Sequence, residues 1–197
     1  MGERKKKTWD FQITHELRFG EKTLVLGFNP KKNAKLPYMT CFKETVGPFD
    51  DSVFHDVFVG DDYLAVMEVF EGRLRGAVRD MKRLRKKRNV PFVVLTEEHC
   101  VPDGLKENLE GKLVVIATSS LSPEFRTSDF QLGVAVGGFG CAPDARGRKI
   151  FIRELFSGET SEWSAGDVLG VANPEKLPAW AKGKFAEYRK RNGGKAS

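Results

Sequence analysis

Cysteine and histidine are scarce in this chain of 197 residues, and neither forms a ligand pattern. Its three cysteines are Cys41, Cys100 and Cys141, and it has three histidines. An odd number of widely spaced cysteines is not typical of a secreted disulfide framework, and CxxC and HxxxH spacings are both missing. We therefore expect reduced thiols, no metal site and no cofactor.

Long apolar runs are missing as well. No segment reaches the roughly 20 apolar residues that a membrane-spanning helix needs, and no apolar signal segment follows the basic start at residues 2–7. The sequence thus favours a cytoplasmic protein without a membrane partner.

Apolar residues are nevertheless plentiful, at 40% of the chain, and 15 Phe and three Trp are spread along most of it. Such a chain can bury a sizeable core in one domain or two small lobes. We predict an α+β fold with a basic tail at residues 1–8, an N-terminal lobe at 9–89 and a C-terminal lobe at 90–192.

Positive charge is concentrated in one short segment. Residues 73–88 hold nine Lys or Arg and one acid, Asp80, although the whole chain has a formal net charge of only +6. The remainder is therefore slightly acidic. A basic block of this kind can attract nucleic acid, an anionic membrane surface or an acidic protein.

The N-terminal lobe is predicted to contain an antiparallel hairpin sheet followed by one long helix. Alternating apolar residues indicate strands near residues 9–19, 24–28, 37–42 and 53–59. Asp61 or Asp62 then caps a helix over residues 63–88. Its apolar residues recur at helical spacing: Tyr63, Val66, Met67, Phe70, Leu74, Ala77, Val78, Met81 and Leu84.

The opposite face of this amphipathic helix is basic. Its stripe comprises Arg75, Arg79, Lys82, Arg83 and Lys86. Such a stripe is suited to phosphate or nucleic-acid contact. The alternative is a solvated surface, because acids near the start of a helix and cations near its end also suit the helix dipole. Gly72 and Gly76 predict either a close backbone approach or a bend.

The C-terminal lobe is predicted to be a small, strongly curved antiparallel sheet or barrel with a terminal helix. Strand patterns fall near residues 90–96, 112–118, 130–136, 148–156, 159–163 and 168–171, and the helix near 179–191. The glycines of residues 137–140 lack the spacing of a phosphate-binding loop, so we interpret them as a bulged turn. Arg126, Arg146 and Arg148 nearby form a candidate anion-contact patch, with structural pairing to Asp129 or Asp144 as the alternative.

A weak catalytic pattern lies at residues 97–100. Glu97, Glu98, His99 and Cys100 offer a general base and a thiol, but no complete signature accompanies them. Free cysteine is commonly buried for packing alone. Glu97, Glu98 and His99, with the nearby arginine loop, are the candidates for a nuclease site, and Cys100 is the candidate for a thiol nucleophile. We assign no catalytic residue.

Five short motifs follow one another in the C-terminal half: EFRTSD at 124–129, GGFG at 137–140, ARGR at 145–148, DVLG at 167–170 and LPAWA at 177–181. In this order they resemble a domain of accessory proteins carried by bacterial conjugative and transposable elements. The resemblance covers about residues 90–182. It implies a setting of DNA transfer or of anti-restriction and anti-CRISPR activity, and implies no catalytic residue.

In that setting we expect an anti-defence inhibitor that binds DNA, guide RNA or a host nuclease such as a CRISPR effector. Two alternatives stay open, namely a small nuclease that cleaves guide RNA or DNA and a non-enzymatic protein adaptor whose basic helix meets an acidic partner. Oligomeric state has no sequence signal.

Overall fold

A computed structural model describes residues 10–20, 22–46, 51–143, 145 and 147–192. The predicted α+β class is confirmed, with two antiparallel sheets of four and five strands. The chain divides into two compact units, Met1–Lys87 and Arg88–Ser197. The basic tail predicted at residues 1–8 lies outside the described residues.

The sheet of the first unit is a meander of consecutive strands. Strands β1 (Gln12–Phe19), β2 (Lys22–Phe28), β3 (Tyr38–Val46) and β4 (Asp51–Gly60) pair in sequence order. Short connections between neighbouring strands produce this arrangement. The register shifts between Thr40 and Phe42, opposite a segment that contains Asp56 at φ 52°. A bulge therefore interrupts the β3–β4 pair.

Helix α1 (Tyr63–Arg88) follows and covers one face of this sheet. Val66 and Phe70 are buried against Leu24 and Leu26 of β2. Alternation along a strand sends Val25 to the opposite face, where it packs with Met39 and Cys41 in a second small core. The sheet of the first unit is thus buried on both faces at β2 and β3.

The second unit contains β5 (Leu113–Ile116), α2 (Ser128–Gln131), β6 (Leu132–Gly137), β7 (Lys149–Glu154), β8 (Thr160–Ser164), β9 (Val168–Val171) and α3 (Ala179–Asn192). The strand order is β8-β7-β6-β5-β9, so β8 and β9 form the two edges. One 3₁₀ turn, Ala165–Asp167, joins them. Four residue steps span at most about 14 Å, whereas the edges of a flat five-stranded sheet lie about 19 Å apart. The sheet must therefore curl.

Both faces of the curled sheet are buried. One face contributes Leu113, Val115 and Val134 to a core that includes Ala181 and the partly buried Trp180 of α3. The other face contributes Val114, Ile116, Ala135, Ile150 and Ile152 to a second core. α3 thus closes the first of these cores.

Two strand predictions in this unit are wrong. Residues 90–96 form no strand, because the main chain of Leu95 bonds to the Gln131 side chain, with N–H to Oε1 at 2.8 Å and Nε2–H to the carbonyl at 2.9 Å. The strand predicted at 130–136 begins at Leu132, since the preceding residues form α2 after the extended N-cap residue Thr127.

Candidate nucleic-acid interface

The ends of α1 are set by local capping. Asp62 Oδ1 accepts a hydrogen bond from the Leu64 N–H at 2.8 Å, which identifies Asp62 as the N-terminal cap. At the other end Asn89 has φ 50°, a left-handed conformation that asparagine tolerates and that commonly terminates helices. The helix is thus fixed over the 26 residues that carry the basic run.

The five stripe residues lie on the exposed side of α1, but they differ in their partners. Arg75 pairs with Glu71 one turn earlier, and the Arg83 Nη1 lies 3.5 Å from Asp80 Oδ1. Arg79, Lys82 and Lys86 have no hydrogen-bond or ion-pair partner among the residues that the structure describes. Exposed ion pairs such as the first two are weak and can exchange for phosphate contacts.

The three uncommitted cations follow each other at intervals of three and four residues. That spacing places their side chains on one face of the helix, within an axial distance of about 10 Å. They form a compact positive surface, which we call the α1 stripe together with Arg75 and Arg83.

Arg73 belongs to the same basic run but is structural. Its guanidinium donates to the Asp56 carbonyl and to Thr40 Oγ1, and lies 5.6 Å from the centre of the Phe42 ring. Burial lowers the pKa of Arg73, while the Asp56 carboxylate acts in the opposite direction. This arginine anchors α1 to the bulge of the sheet.

Arg88, the last residue of α1, is also structural and belongs to the second unit. Its Nη1 lies 2.6 Å from Glu154 Oε1 and 3.3 Å from Asp129 Oδ2. The guanidinium lies 3.9 Å from the Phe130 ring centre and 4.7 Å from that of Phe156. A largely buried cation with two carboxylates and two rings is a packing element of this unit.

The arginine patch predicted around residues 126–148 is only partly described. Arg126 is exposed, and its Nε donates to the Leu121 carbonyl at 3.0 Å. Arg148 is exposed as well, whereas Arg146 lies outside the described residues. Among the described residues Asp129 pairs with Arg88 and with neither Arg126 nor Arg148. Asp144 lies outside the described residues as well, so the alternative of structural pairing stays open for Arg146 and Asp144.

The bulged turn predicted at residues 137–140 is present, and its glycines are required by the backbone structure. The register shifts between Ala135 and Gly137, and Gly138 has φ 103°. A Cβ atom at Gly140 would lie 2.8 Å from the Lys149 carbonyl oxygen. These positions need glycine for backbone conformation and close approach.

The weak catalytic candidates are held in a structural turn. The His99 Nδ1 accepts from the Thr96 N–H at 3.1 Å, so this nitrogen caps the 3₁₀ turn Glu97–His99. The Cys100 thiol packs against Gly170, and its pKa is raised by burial and by the Glu97 carboxylate. The backbone carbonyl of Glu98 accepts a hydrogen bond from Lys176 Nζ at 2.7 Å. A protonated thiol beside a capping imidazole is poorly placed for nucleophilic attack.

Metal-ligand clusters and membrane-spanning helices are both missing from the described residues. Within the described parts of the chain, no three side chains of His, Cys, Asp or Glu are grouped so that they could hold a metal ion. Nor does any described helix combine the length and the apolar character that crossing a membrane requires. Comparisons with protein-family models, curated proteins and solved structures gave no match for this chain.

Sequence reasoning missed a second charged surface, on β7. Lys149, Phe151 and Arg153 are exposed, while Ile150 and Ile152 between them are buried. The alternation of side chains along a strand could have revealed this surface. It predicts that Lys149, Phe151 and Arg153 share one face of β7.

Proposed function

We propose that this chain is a nucleic-acid-associated accessory protein whose α1 stripe binds phosphates. In the proposal it acts as a non-catalytic inhibitor of a host nuclease complex, either on the complex or on its nucleic acid. The observation that carries the proposal is the set of three exposed, uncommitted cations, Arg79, Lys82 and Lys86, on one face of a capped helix.

Charge and geometry support phosphate binding over a merely solvated face. Two cations of the same run, Arg73 and Arg88, are held by protein partners. The stripe cations either have no partner among the described residues or hold exposed, replaceable ones. Contacts with about four phosphates of duplex DNA would give a slope of about −3.6 for log affinity against log salt. Such contacts position a protein without reading sequence.

The anti-defence part of the proposal is supported by the five motifs that resemble accessory proteins of mobile elements. In that role the protein would compete electrostatically for the path of guide RNA or target DNA in a restriction or CRISPR nuclease. The geometry at Glu97, Glu98, His99 and Cys100 favours no cleavage reaction, because their described contacts stabilise a turn.

The binding step is tested with two double variants that change net charge equally. Arg79→Glu with Lys86→Glu reverses the stripe, and Lys32→Glu with Lys35→Glu reverses two exposed lysines of the β2–β3 connection. Fluorescence anisotropy on a labelled duplex over a salt series is expected to show lost affinity and a shallower slope only for the stripe variant. Equal effects of the two variants, or affinity insensitive to salt, would contradict the proposal.

The inhibitor step is tested by incubating the chain with a guide-loaded CRISPR nuclease and its target DNA, then examining both nucleic acids. Intact target with intact guide supports inhibition by binding. A shortened guide would show nuclease action instead, and complete target cleavage would exclude inhibition of that nuclease. His99→Ala with Glu98→Ala should leave inhibition unchanged, because neither side chain belongs to the stripe.

A further inference from the structure

The outer face of β7 combines an exposed aromatic ring with flanking cations. Phe151 is 41% exposed although the neighbouring Ile150 and Ile152 are almost fully buried. Residues two apart on one face of a strand lie about 6.7 Å apart. Lys149 and Arg153 therefore flank the Phe151 ring on the same face.

A second ring stands in the turn after β6. Phe139 is 82% exposed, the most exposed of the large apolar side chains in the described residues. The turn that carries it lies against β7, since a Cβ atom at Gly138 would be 2.6 Å from the Lys149 carbonyl oxygen and 3.3 Å from the Phe151 ring. The turn that carries Phe139 thus lies beside Phe151, and Gly138 permits that close approach.

Cations extend this surface toward α3. Arg153, Lys184 and Arg191 line a cleft of about 330 Å³ between β7 and α3, together with Phe156 and Tyr188. The Arg153 Nε donates to Thr160 Oγ1 at a long 3.4 Å. This interaction leaves the two terminal nitrogens of the guanidinium available to a ligand.

The nearby carboxylates neutralise only part of this charge. Glu162 pairs with Lys149 at 2.7 Å, and Glu154 bonds to Arg88 and to Ser157. Glu187 is the third acid and lines the cleft itself. Among the described residues, Glu187 is the carboxylate of this cleft without a cation partner, so the three cations Arg153, Lys184 and Arg191 outnumber it.

We propose that this surface, formed by Phe139, Phe151, Arg153 and Lys184, binds a single strand of nucleic acid. Unpaired bases stack on exposed aromatic rings, and cations beside the rings meet the phosphates. A duplex offers no free base face to a ring, so the surface selects single strands. The inference concerns the second unit and does not depend on phosphate binding by the α1 stripe.

The full chain is tested by fluorescence anisotropy with labelled oligo(dT), oligo(U) and a duplex of equal length at one salt concentration. Phe151→Leu keeps an apolar residue at this position but removes the stacking face. We expect roughly tenfold weaker binding of single strands and unchanged binding of the duplex. The two single-stranded probes distinguish DNA from RNA as the ligand.

Phe58→Leu is the matched control, because Phe58 of β4 is 38% exposed, close to the exposure of Phe151. It should leave all affinities unchanged. Phe151→Trp should keep single-strand affinity, and its fluorescence should be quenched on binding. This second variant reports on the surface even if Phe151→Leu fails to fold, which thermal melting would reveal.

The inference would be overturned by no affinity of the wild-type chain for single strands at low salt, by unchanged single-strand affinity in a folded Phe151→Leu variant, or by no quenching of Phe151→Trp at saturation. An equal loss of duplex and single-strand binding would overturn it as well. Failure of the α1 stripe proposal is distinguishable, because it appears as unchanged duplex affinity when Arg79 and Lys86 are reversed.

Discussion

At the scale of single residues, Arg79 and Arg88 differ in what holds their guanidinium groups. Arg79 is exposed and has no partner among the described residues, whereas the Arg88 side chain is only 11% exposed and bonds to Asp129 and Glu154. Removing a buried cation leaves its carboxylates desolvated and unpaired. The same substitution therefore costs much more stability at Arg88 than at Arg79.

We predict that Arg88→Met destabilises the protein by about 3–5 kcal/mol. Arg79→Met should change stability by less than about 0.5 kcal/mol. Urea unfolding followed by tryptophan fluorescence measures both, since Trp163 and Trp180 lie in the second unit with Arg88. Similar midpoints for the two variants would show that the Arg88 network does not stabilise this unit.

Burial also controls the thiols. The Cys41 side chain is fully buried, and burial raises its pKa to about 11, partly offset by the Arg73 charge. The pKa values of Cys100 and Cys141 are raised by burial as well. All three thiols are thus protonated near neutral pH, which disfavours thiolate chemistry.

The raised pKa of Cys41 predicts a loss of stability at alkaline pH. The unfolded thiol loses its proton above about pH 8.5–9 while the folded one keeps it up to about pH 11, so stability falls across that window. The loss should be on the order of 2 kcal/mol relative to a Cys41→Ala variant. Urea midpoints of the wild type and of Cys41→Ala at pH 8 and pH 10.5 measure this loss. An equal change in midpoint for both proteins would show that Cys41 does not cause it.

At the scale of elements, α1 contains two glycines without a packing reason. A Cβ atom at Gly72 or Gly76 would meet nothing within 4 Å among the described residues outside the helix. The close approach that the sequence allowed as one explanation is therefore absent there. At Gly133 of β6, by contrast, a Cβ atom would overlap Ile152 Cγ2 and lie 2.9 Å from the Arg153 carbonyl oxygen.

We predict that Gly72→Ala and Gly76→Ala each stabilise the protein by about 0.5–1 kcal/mol, because alanine loses less conformational freedom in a helix. Gly133→Ala should destabilise it, since Ile152 and the backbone of β7 must shift. Thermal melting and far-ultraviolet circular dichroism measure the series. Destabilisation by either helix substitution would indicate a contact at that glycine that the structure does not describe.

The elements also show which patterns in the sequence were sufficient. α1 was predicted at its observed bounds because nine apolar residues repeat at helical spacing and Asp62 supplies a local cap. The segment 90–96 has a strand-like composition, but its main chain bonds to the side chain of Gln131, a partner 36 residues away. Local pattern cannot identify a side-chain partner that far along the chain.

At the scale of the whole molecule, each compact unit has its own buried clusters. Leu24 and Val66 belong to the first unit, and Val115 and Val134 to the second. Stability in such a chain is distributed over separate local cores.

We predict that Leu24→Ala destabilises the first unit by about 2–5 kcal/mol. Hydrogen exchange should accelerate at the amides of β2 and β3 and stay unchanged at Val115 and Val134. Val115→Ala should give the converse pattern. Equal acceleration in both units would show that the chain unfolds as one cooperative body.

The candidate site was predictable from the sequence only where it depends on residues close together along the chain. The α1 stripe follows from helical periodicity alone, so its five residues were identified from the sequence. Arg88 was recognisable as structural only from the fold, because its partners lie 41 and 66 residues further along the chain. The outer face of β7 became significant once the exposure of Phe139 and Phe151 was known.

The strand order of the second unit has a consequence for how the chain folds during synthesis. β5 lies between β6 and β9, and Val114 pairs with Val171 of β9. One edge of β5 therefore has no strand partner until β9 has left the ribosome. Closing so long a loop slows folding, and an open strand edge invites pairing with other chains. For the nascent chain, the hazardous interval ends when the last strand, β9, closes that edge.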